Sequence, residues 1–339
     1  MPLFEVDNLW VRFHTPDGVV QAVRGVSFAI EPGETLGIVG ESGSGKTLAT
    51  QAAFGLAAGA RVEGRAVFDR RDLLAMTVRD RREILGAQVG MVFQNPLSSL
   101  HPMYRVGWQL SEAIRTHDRS MSKSAARARV VELLGLVGIP QPAQRVDDFP
   151  HQFSGGMRQR AMIAMAIALG PALLIADEPT TAVDVTIQAQ ILQVLKDLKE
   201  ELGIAIVMIT HDLGVIAQLA DRVVVLYAGR VMEQGSVRDL FYDHHHPYTE
   251  GLLRSLPAAE IGRGHLIPIE GQPPSPIDPA PGCPFAPRCR YRMEICVREQ
   301  PRLEPVPGNP GHDSACFLPK DRRVSDRLTV EAAKGDDIG

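Results

Sequence analysis

Gly40-Glu41-Ser42-Gly43-Ser44-Gly45-Lys46-Thr47 has the composition and spacing of a loop that grips nucleotide phosphates. The glycines let the backbone curl until successive N–H groups face anionic oxygens, an approach that a Cβ would obstruct. Lys46 would reach the β- and γ-phosphates, and the Thr47 hydroxyl would ligate Mg²⁺. The plainer alternative is a glycine-rich turn with no ligand. Against it stand the Lys-Thr pair, the apolar run Thr35-Leu36-Gly37-Ile38-Val39 before the loop and the proline-free stretch after it. Strand, loop and helix in that order put the positive end of a helix on the same anion.

A second word pairs with the first. Ala172-Leu173-Leu174-Ile175-Ala176-Asp177-Glu178-Pro179 is an apolar strand that ends in two acids. A strand buried on both faces delivers Asp177 to the carboxyl edge of a sheet, beside the phosphate loop. There Asp177 can hold Mg²⁺ through water, and Glu178 can orient or deprotonate an attacking water. Alone, the pair could be solvated acids at a strand end. With the loop upstream it points to hydrolysis.

Phe153-Ser154-Gly155-Gly156-Met157-Arg158-Gln159-Arg160 opens a helix with a serine cap and two bare backbone N–H groups, which makes another anion site. If one nucleotide needs both sites, the second comes from another subunit.

All four cysteines, Cys283, Cys289, Cys296 and Cys316, lie in the last sixth of the chain. An even count would suit disulfides in a secreted protein. The start, Met1-Pro2-Leu3-Phe4-Glu5-Val6-Asp7, shows no signal peptide. In a reducing compartment, clustered cysteines more often bind metal. The spacing C-x5-C-x6-C-x19-C matches neither a zinc ribbon nor a ferredoxin run. A [4Fe–4S] cluster, a structural zinc and free or paired thiols all remain open. His244-His245-His246 reads as a helix start or turn rather than a metal site.

The elements that must position these groups are visible in outline. A length of 339 residues suits two folding units, or one large core with an appendage. A net charge of -4 gives no electrostatic reason to expect nucleic acid as a partner. Residues 3–13 and 19–30 alternate apolar and polar side chains around the turn Thr15-Pro16-Asp17-Gly18, which predicts an antiparallel hairpin. Residues 97–150 change to helical spacing, as in 125–136. Apolar runs at 173–176, 204–209 and 223–227, with a helical pattern at 187–202, predict a parallel sheet with helices on its faces. The apolar stretch 161–176 is too short to span a bilayer and is broken by Gly170-Pro171, so the chain is not expected to enter the membrane. Residues 268–287 carry eight prolines and predict a linker or an extended wrap. The tail from Lys320 is charged and expected to be loose. The phosphate motifs are expected in a core separate from the cysteine segment, so nucleotide binding should largely survive the loss of a cysteine there. No internal repeat is visible.

Six motifs in this order resemble those of ATP-binding cassette (ABC) ATPases, over about residues 3–240. The family signature, usually LSGGQ, here reads Phe153-Ser154-Gly155-Gly156-Met157, with methionine replacing the glutamine. Gln94 in Val92-Phe93-Gln94-Asn95-Pro96 fits the Q-loop. Ala182-Val183-Asp184 fits the D-loop, and His211 in Ile209-Thr210-His211-Asp212 fits the switch histidine.

The resemblance implies an α/β fold: a RecA-like parallel sheet core with an N-terminal antiparallel β subdomain and a helical subdomain at about 95–155. The nucleotide-binding domain would span 1–240, and 241–339 would form a C-terminal extension with a four-cysteine segment at 283–316. It also implies a head-to-tail cassette dimer. ATP would contact Phe13, stacked on adenine, residues 40–47 (Gly40, Glu41, Ser42, Gly43, Ser44, Gly45, Lys46 and Thr47) and Gln94. Mg²⁺ would be held by Thr47, Gln94 and Asp177. Glu178 and His211 would be catalytic, His211 holding the γ-phosphate and the water geometry. Ser154, Gly155, Gly156, Met157 and Asp184 would serve the partner's ATP.

Leu100-His101-Pro102, Val106-Gly107-Trp108-Gln109-Leu110, the FSGGMRQR run and His246-Pro247-Tyr248-Thr249 with its proline-rich sequel narrow the resemblance. They are similar to ATPases of bacterial oligopeptide and dipeptide importers, a group that includes nickel importers. Position 101 is commonly asparagine there. The likeness is to the D-type ATPase, which pairs with a distinct F-type ATPase on two integral-membrane permease subunits fed by an extracytoplasmic solute-binding protein. It implies a peripheral place on the cytoplasmic face of the inner membrane, no nucleic-acid partner, and a cysteine-ligated [4Fe–4S] cluster in the extension, with zinc as the alternative. A soluble ABC protein acting on ribosomes or DNA is a competing class. The single phosphate loop, and only about a hundred residues between Lys46 and Ser154 with no sustained heptads, argue against it. A redox sensor in the extension would regulate transport rather than replace it.

Overall fold

The alternation in the first thirty residues becomes a long antiparallel hairpin, β1 (Phe4–Thr15) and β2 (Gly18–Ile30). The computed structural model describes residues 1–94, 99–181, 183–255 and 268–319. β4 (Arg61–Phe68) pairs with the other edge of β1, and β5 (Arg71–Asp72) completes a four-stranded antiparallel sheet in the order β2-β1-β4-β5.

The main sheet is built from β3 (Thr35–Val39), β6 (Val89–Val92), β7 (Leu173–Asp177), β8 (Ala205–Thr210) and β9 (Arg222–Tyr227), all parallel. Every residue of β3, β7 and β8 is buried, as expected of strands covered on both faces. Strand periodicity divides their side chains between two cores. Leu174 and Ala176 of β7 and Ile206 and Met208 of β8 face a layer of helices, chiefly Val106–His117, Lys123–Leu136, Gly155–Ala166 and Val185–Leu202. Leu173, Ile175, Val207 and Ile209 face the antiparallel sheet and the helix Lys46–Ala53.

The expected parallel core is present, but the sheet as a whole is mixed. β10 (Arg230–Ser236), β12 (Asn309–Ser314) and β11 (Glu304–Val306) add three antiparallel strands, giving the order β11-β12-β10-β9-β3-β8-β7-β6. The reason is local at β9: only Ala228 and Gly229 separate it from β10, at φ 46° and 78°. A two-residue turn with both φ positive returns the chain antiparallel and leaves no room for a crossover helix.

The helical spacing expected in 97–150 is realised as Val106–His117, Lys123–Leu136 and the single turn Pro142–Arg145. The proline-rich 268–287 wraps rather than links: the Gln21 N–H donates to the Pro276 carbonyl at 2.9 Å, and Ile277 bridges to Val20. The expectation of a loose tail from Lys320 lies outside the described residues. Among the described residues, no helix is long and apolar enough to cross a membrane.

Candidate functional site

β3 ends in the loop that the sequence singled out, and its glycines are sterically required. Gly40 has φ 154°, and a Cβ there would stand 2.1 Å from the Leu226 carbonyl oxygen. Gly45 has φ 97°, and its Cβ would meet the Ala22 carbonyl oxygen at 2.6 Å. Gly43, at φ 76°, faces open space, so its need for glycine is conformational. Gly45 caps the helix Lys46–Ala53 without a side-chain bond, which leaves first-turn N–H groups aimed at whatever the loop holds.

Lys46 is buried, its ammonium donating to the carbonyls of Gly40 (2.8 Å) and Glu41 (3.0 Å). Burial depresses its pKa, against the pull of Glu178, Asp177 and Glu41. The Thr47 hydroxyl donates to Asp177 Oδ1 at 2.8 Å. Burial raises the Asp177 carboxyl above its ordinary range and Glu178 adds to this, while Thr47 and Lys46 oppose it. A carboxylate and a hydroxyl so paired, in a site that penalises negative charge, suit a divalent cation.

Glu178 follows β7 with φ 47°, a left-handed conformation that costs a residue other than glycine ~1–3 kcal/mol. Its N–H donates to the Ile209 carbonyl at 2.8 Å. Its carboxylate accepts from Gln94 Nε2 and Thr181 Oγ1, each at 2.8 Å, and lies 3.5 Å from His211 Nδ1. Residues far apart in sequence thus converge on one carboxylate. Asn95 and Pro96 of the Q-loop word lie outside the described residues.

Ser154 caps the helix Gly155–Ala166, its Oγ accepting the Met157 N–H at 3.3 Å. A Cβ on Gly156 would meet Ile187 at 2.7 Å, while Gly155 faces open space. Asp184 caps Val185–Leu202 through the Ile187 N–H at 2.9 Å, so signature and D-loop helices abut. Met157 packs half-buried against the helical-side core. Among the described residues, no hydrogen bond joins Ser154, Met157 or Asp184 to the phosphate loop of this chain. Ala182 lies outside them. Phe13 pairs with Val20 across the hairpin, half-buried against the core between the sheets.

Sequence reasoning missed a set of contacts to Glu41. Arg288, its side chain 4% exposed, clasps both Glu41 carboxylate oxygens. The Tyr248 hydroxyl accepts the Glu41 N–H at 2.8 Å. Arg288 stands immediately before Cys289. The expectation that the phosphate loop and the cysteine segment occupy separate cores is therefore corrected: they share an ion pair between the buried Arg288 and the half-buried Glu41. Tyr248 belongs to the His246-Pro247-Tyr248-Thr249 word, which in the sequence carries the family resemblance but no sign of this contact.

All four cysteines line one small cavity with Phe285 and Pro247. Burial pushes the Cys283 thiol up to about 11 and Cys289 up to about 12, and the neighbouring sulfurs add to both shifts. His246 caps the helix Pro247–Arg254, as expected of a helix start. His245 instead joins Asp243 and His312, their ligand atoms within 4.8 Å of one another. His312 Nε2 lies 2.8 Å from the wholly buried Glu233. An open apolar groove lies beside the Q-loop, lined by Leu85, Met91, Phe93, Ala113, Met162 and Met165.

β3, β8 and β7 lie side by side although they are distant in sequence. Their tips deliver the phosphate loop, His211, Asp177 and Glu178 to one sheet edge, next to the antiparallel sheet. That edge has the layout of the nucleotide site of an ATP-binding cassette. Residues 23–181 match the ABC transporter family, and 232–296 match the C-terminal region of oligopeptide/dipeptide transporters. The dipeptide transport ATP-binding protein DppD of Bacillus subtilis is 51% identical over 302 residues, covering 88% of this chain and 90% of that one. The oligopeptide transport ATP-binding protein OppD of Salmonella typhimurium is 49% identical over 318 residues, 94% of each. A dimeric ATP-binding cassette in a post-hydrolysis state with ADP and Pi superposes with TM-score 0.63 at 28% identity, covering 69% of this chain and 99% of that chain. The chain belongs to the ATP-binding proteins of the oligopeptide/dipeptide ABC transporter family.

Proposed function

We propose that this chain is the D-type ATPase of a di- and oligopeptide importer, peripheral on the cytoplasmic face of the bacterial inner membrane. It works in a cassette dimer with an F-type ATPase on two permease subunits, which receive cargo from an extracytoplasmic solute-binding protein. The observation that carries the reading is the convergence of Gln94, Thr181 and His211 on Glu178, beside the Thr47–Asp177 pair. The relatives' names, dipeptide and oligopeptide transport, supply the cargo class.

Residues 1–240 act as the nucleotide-binding domain. Phe13 stacks adenine, and residues 40–47 with Gln94 hold the triphosphate. Lys46 exchanges its two loop carbonyls for β- and γ-phosphate oxygens. Thr47, Gln94 and Asp177 would hold Mg²⁺, which when bound would neutralise charge on the phosphates. Glu178 orients the attacking water and takes its proton as the water oxygen bonds to the γ-phosphorus and the bond to ADP breaks. His211, 3.5 Å from the same carboxylate, holds the γ-phosphate. Ser154, Gly155, Gly156, Met157 and Asp184 complete the partner's ATP site, consistent with their separation from this chain's own loop. The apolar groove at Phe93 and Met91 receives a permease helix.

Within the extension 241–339, Cys283, Cys289, Cys296 and Cys316 suit a [4Fe–4S] cluster. Their sulfurs share one cavity, and raised thiol pKa values there mark a pocket that a cation would relieve. The Leu318 N–H donates to Cys316 Sγ at 3.4 Å, a bond of the kind that tunes such clusters. A tetrahedral zinc, with Zn–S of about 2.3 Å, would draw its sulfurs to about 3.8 Å from one another. Among the described residues, the group with all ligand atoms inside 4.8 Å is Asp243, His245 and His312, not the cysteines.

The test is ATP-driven uptake in liposomes that carry the two permeases, this chain and its partner ATPase, with the binding protein outside. Labelled di- or oligopeptide should accumulate only with ATP. Uptake of nickel alone, or no uptake with intact ATPase activity, would overturn the peptide assignment.

A further inference from the structure

The Glu41 side chain is an unexpected hazard at a phosphate site. It projects from the loop that holds phosphate, and its charge is felt at Lys46. A free carboxylate there would compete with the nucleotide for the Lys46 ammonium and repel the phosphates directly. In this structure it is not free. Arg288 occupies both oxygens, with Nη2 at 2.9 Å from Oε1 and Nη1 on Oε2. The guanidinium is fixed from behind by the carbonyls of Ile269 (3.0 Å) and Glu270 (2.9 Å), and it lies over the Tyr227 ring, 5.8 Å from its centroid. A planar fork with fixed partners suits a bidentate hold on carboxylate better than a lysine would.

The same corner is tied by two further bonds from the extension. Tyr248 accepts the Glu41 N–H at 2.8 Å, and the strap crosses the hairpin where the Gln21 N–H meets Pro276. Pro273, Pro274 and Ser275 line a small cavity together with Ser42, Gly43 and Ser44 of the loop.

We infer that Arg288 is a positioning residue for ATP binding: by sequestering the Glu41 carboxylate it leaves Lys46 to the phosphates, so the cysteine segment tunes the nucleotide affinity of the loop. The inference rests on the assignment of residues 40–47 as the ATP loop. The segment has leverage because Arg288 closes the short turn before Cys289, its N–H donating to the Phe285 carbonyl at 3.0 Å. Any ligand that the four thiols hold fixes the base from which the guanidinium reaches.

The experiment is titration of the purified full chain with fluorescent ADP and Mg²⁺, with thermal unfolding followed in parallel. Arg288→Met should weaken binding by about tenfold, because it leaves a half-buried carboxylate unpaired. Glu41→Gln sets the reference, and adding it to Arg288→Met should restore affinity to within about threefold of Glu41→Gln alone. That rescue separates charge sequestration from a general structural role, which removing the Glu41 charge would not repair. Arg288→Lys keeps the charge but loses the fork, and should fall between. If Arg288→Met yields no folded protein, Arg288→Lys with and without Glu41→Gln is judged by the same rescue. Affinity within twofold of wild type in the Arg288 variant, or a double variant no better than the single, would overturn the inference. Lys46→Ala tests the loop itself: undiminished binding there would sink the loop assignment instead.

Discussion

The phosphate loop and the cysteine segment are both irregular stretches against the same sheet, but they hold their shape by different means. The loop is shaped by its own residues: glycines at positive φ, backbone carbonyls 2.1 and 2.6 Å from where side chains would be, and the helix that begins at Lys46. The segment has little regular structure, a single turn at Ala286–Arg288 and a five-residue helix Glu294–Arg298. What closes it is long-range: the Cys283 N–H on the Cys296 carbonyl at 2.8 Å, Gly282 packed so that a Cβ would stand 2.4 Å from that same oxygen, and Cys316 returning from β12. A locally encoded loop keeps its geometry whatever it binds. A segment closed by four distant thiols depends on what they hold.

Substitutions at the two places should therefore fail differently. The largest effect is expected for Glu178→Gln. Loss of the base should cut turnover by about 10²–10⁴-fold, with nucleotide affinity retained because the amide still bonds Thr181. Steady-state ATPase rates of the assembled complex, with fluorescent ADP binding in parallel, check this, and full turnover would remove Glu178 from the reaction. Next comes Lys46→Ala, expected to weaken nucleotide binding by about a hundredfold through loss of charge-assisted bonds. Since the loop's shape resides in its glycines, the unfolding temperature should barely move. A large drop would show that Lys46 braces the loop through the Gly40 and Glu41 carbonyls and would blur the contrast between the two regions.

Cys289→Ser is expected to act on the segment first and the ATP site least. Anaerobically purified protein should lose iron and its broad absorbance near about 400 nm, and amides in 280–318 should exchange faster. Nucleotide affinity should shift by only about threefold, relayed through the neighbouring Arg288. Colourless wild-type protein with one bound zinc would decide for that metal, and no metal under anaerobic handling would remove both.

Much of the cassette is legible because its signals are short-range. The GESGSGKT loop, the acids ending an apolar strand and the Ser154 cap each depend on residues within one turn or strand, where residue type dictates backbone shape. The antiparallel extension of the sheet was not legible. β11 and β12 are only three and six residues long, each holds a proline, and their places follow from β12 pairing with β10 and β11 with β12 rather than from pattern. Nor was the position of Glu178 at φ 47°, which the fold imposes on a residue with no preference for it.

The sequence by itself determined that a glycine-shaped loop, a strand ending in two acids and a serine-capped helix exist, because glycine freedom, helix capping and strand burial act over a few residues. Only the tertiary structure decided that Gln94 and His211 meet on Glu178, and that Arg288, 247 residues from Glu41, closes over its carboxylate. Such partners are chosen by strand order and by the wrap of the proline-rich segment. Both are set by burial across the whole chain rather than by spacing along it.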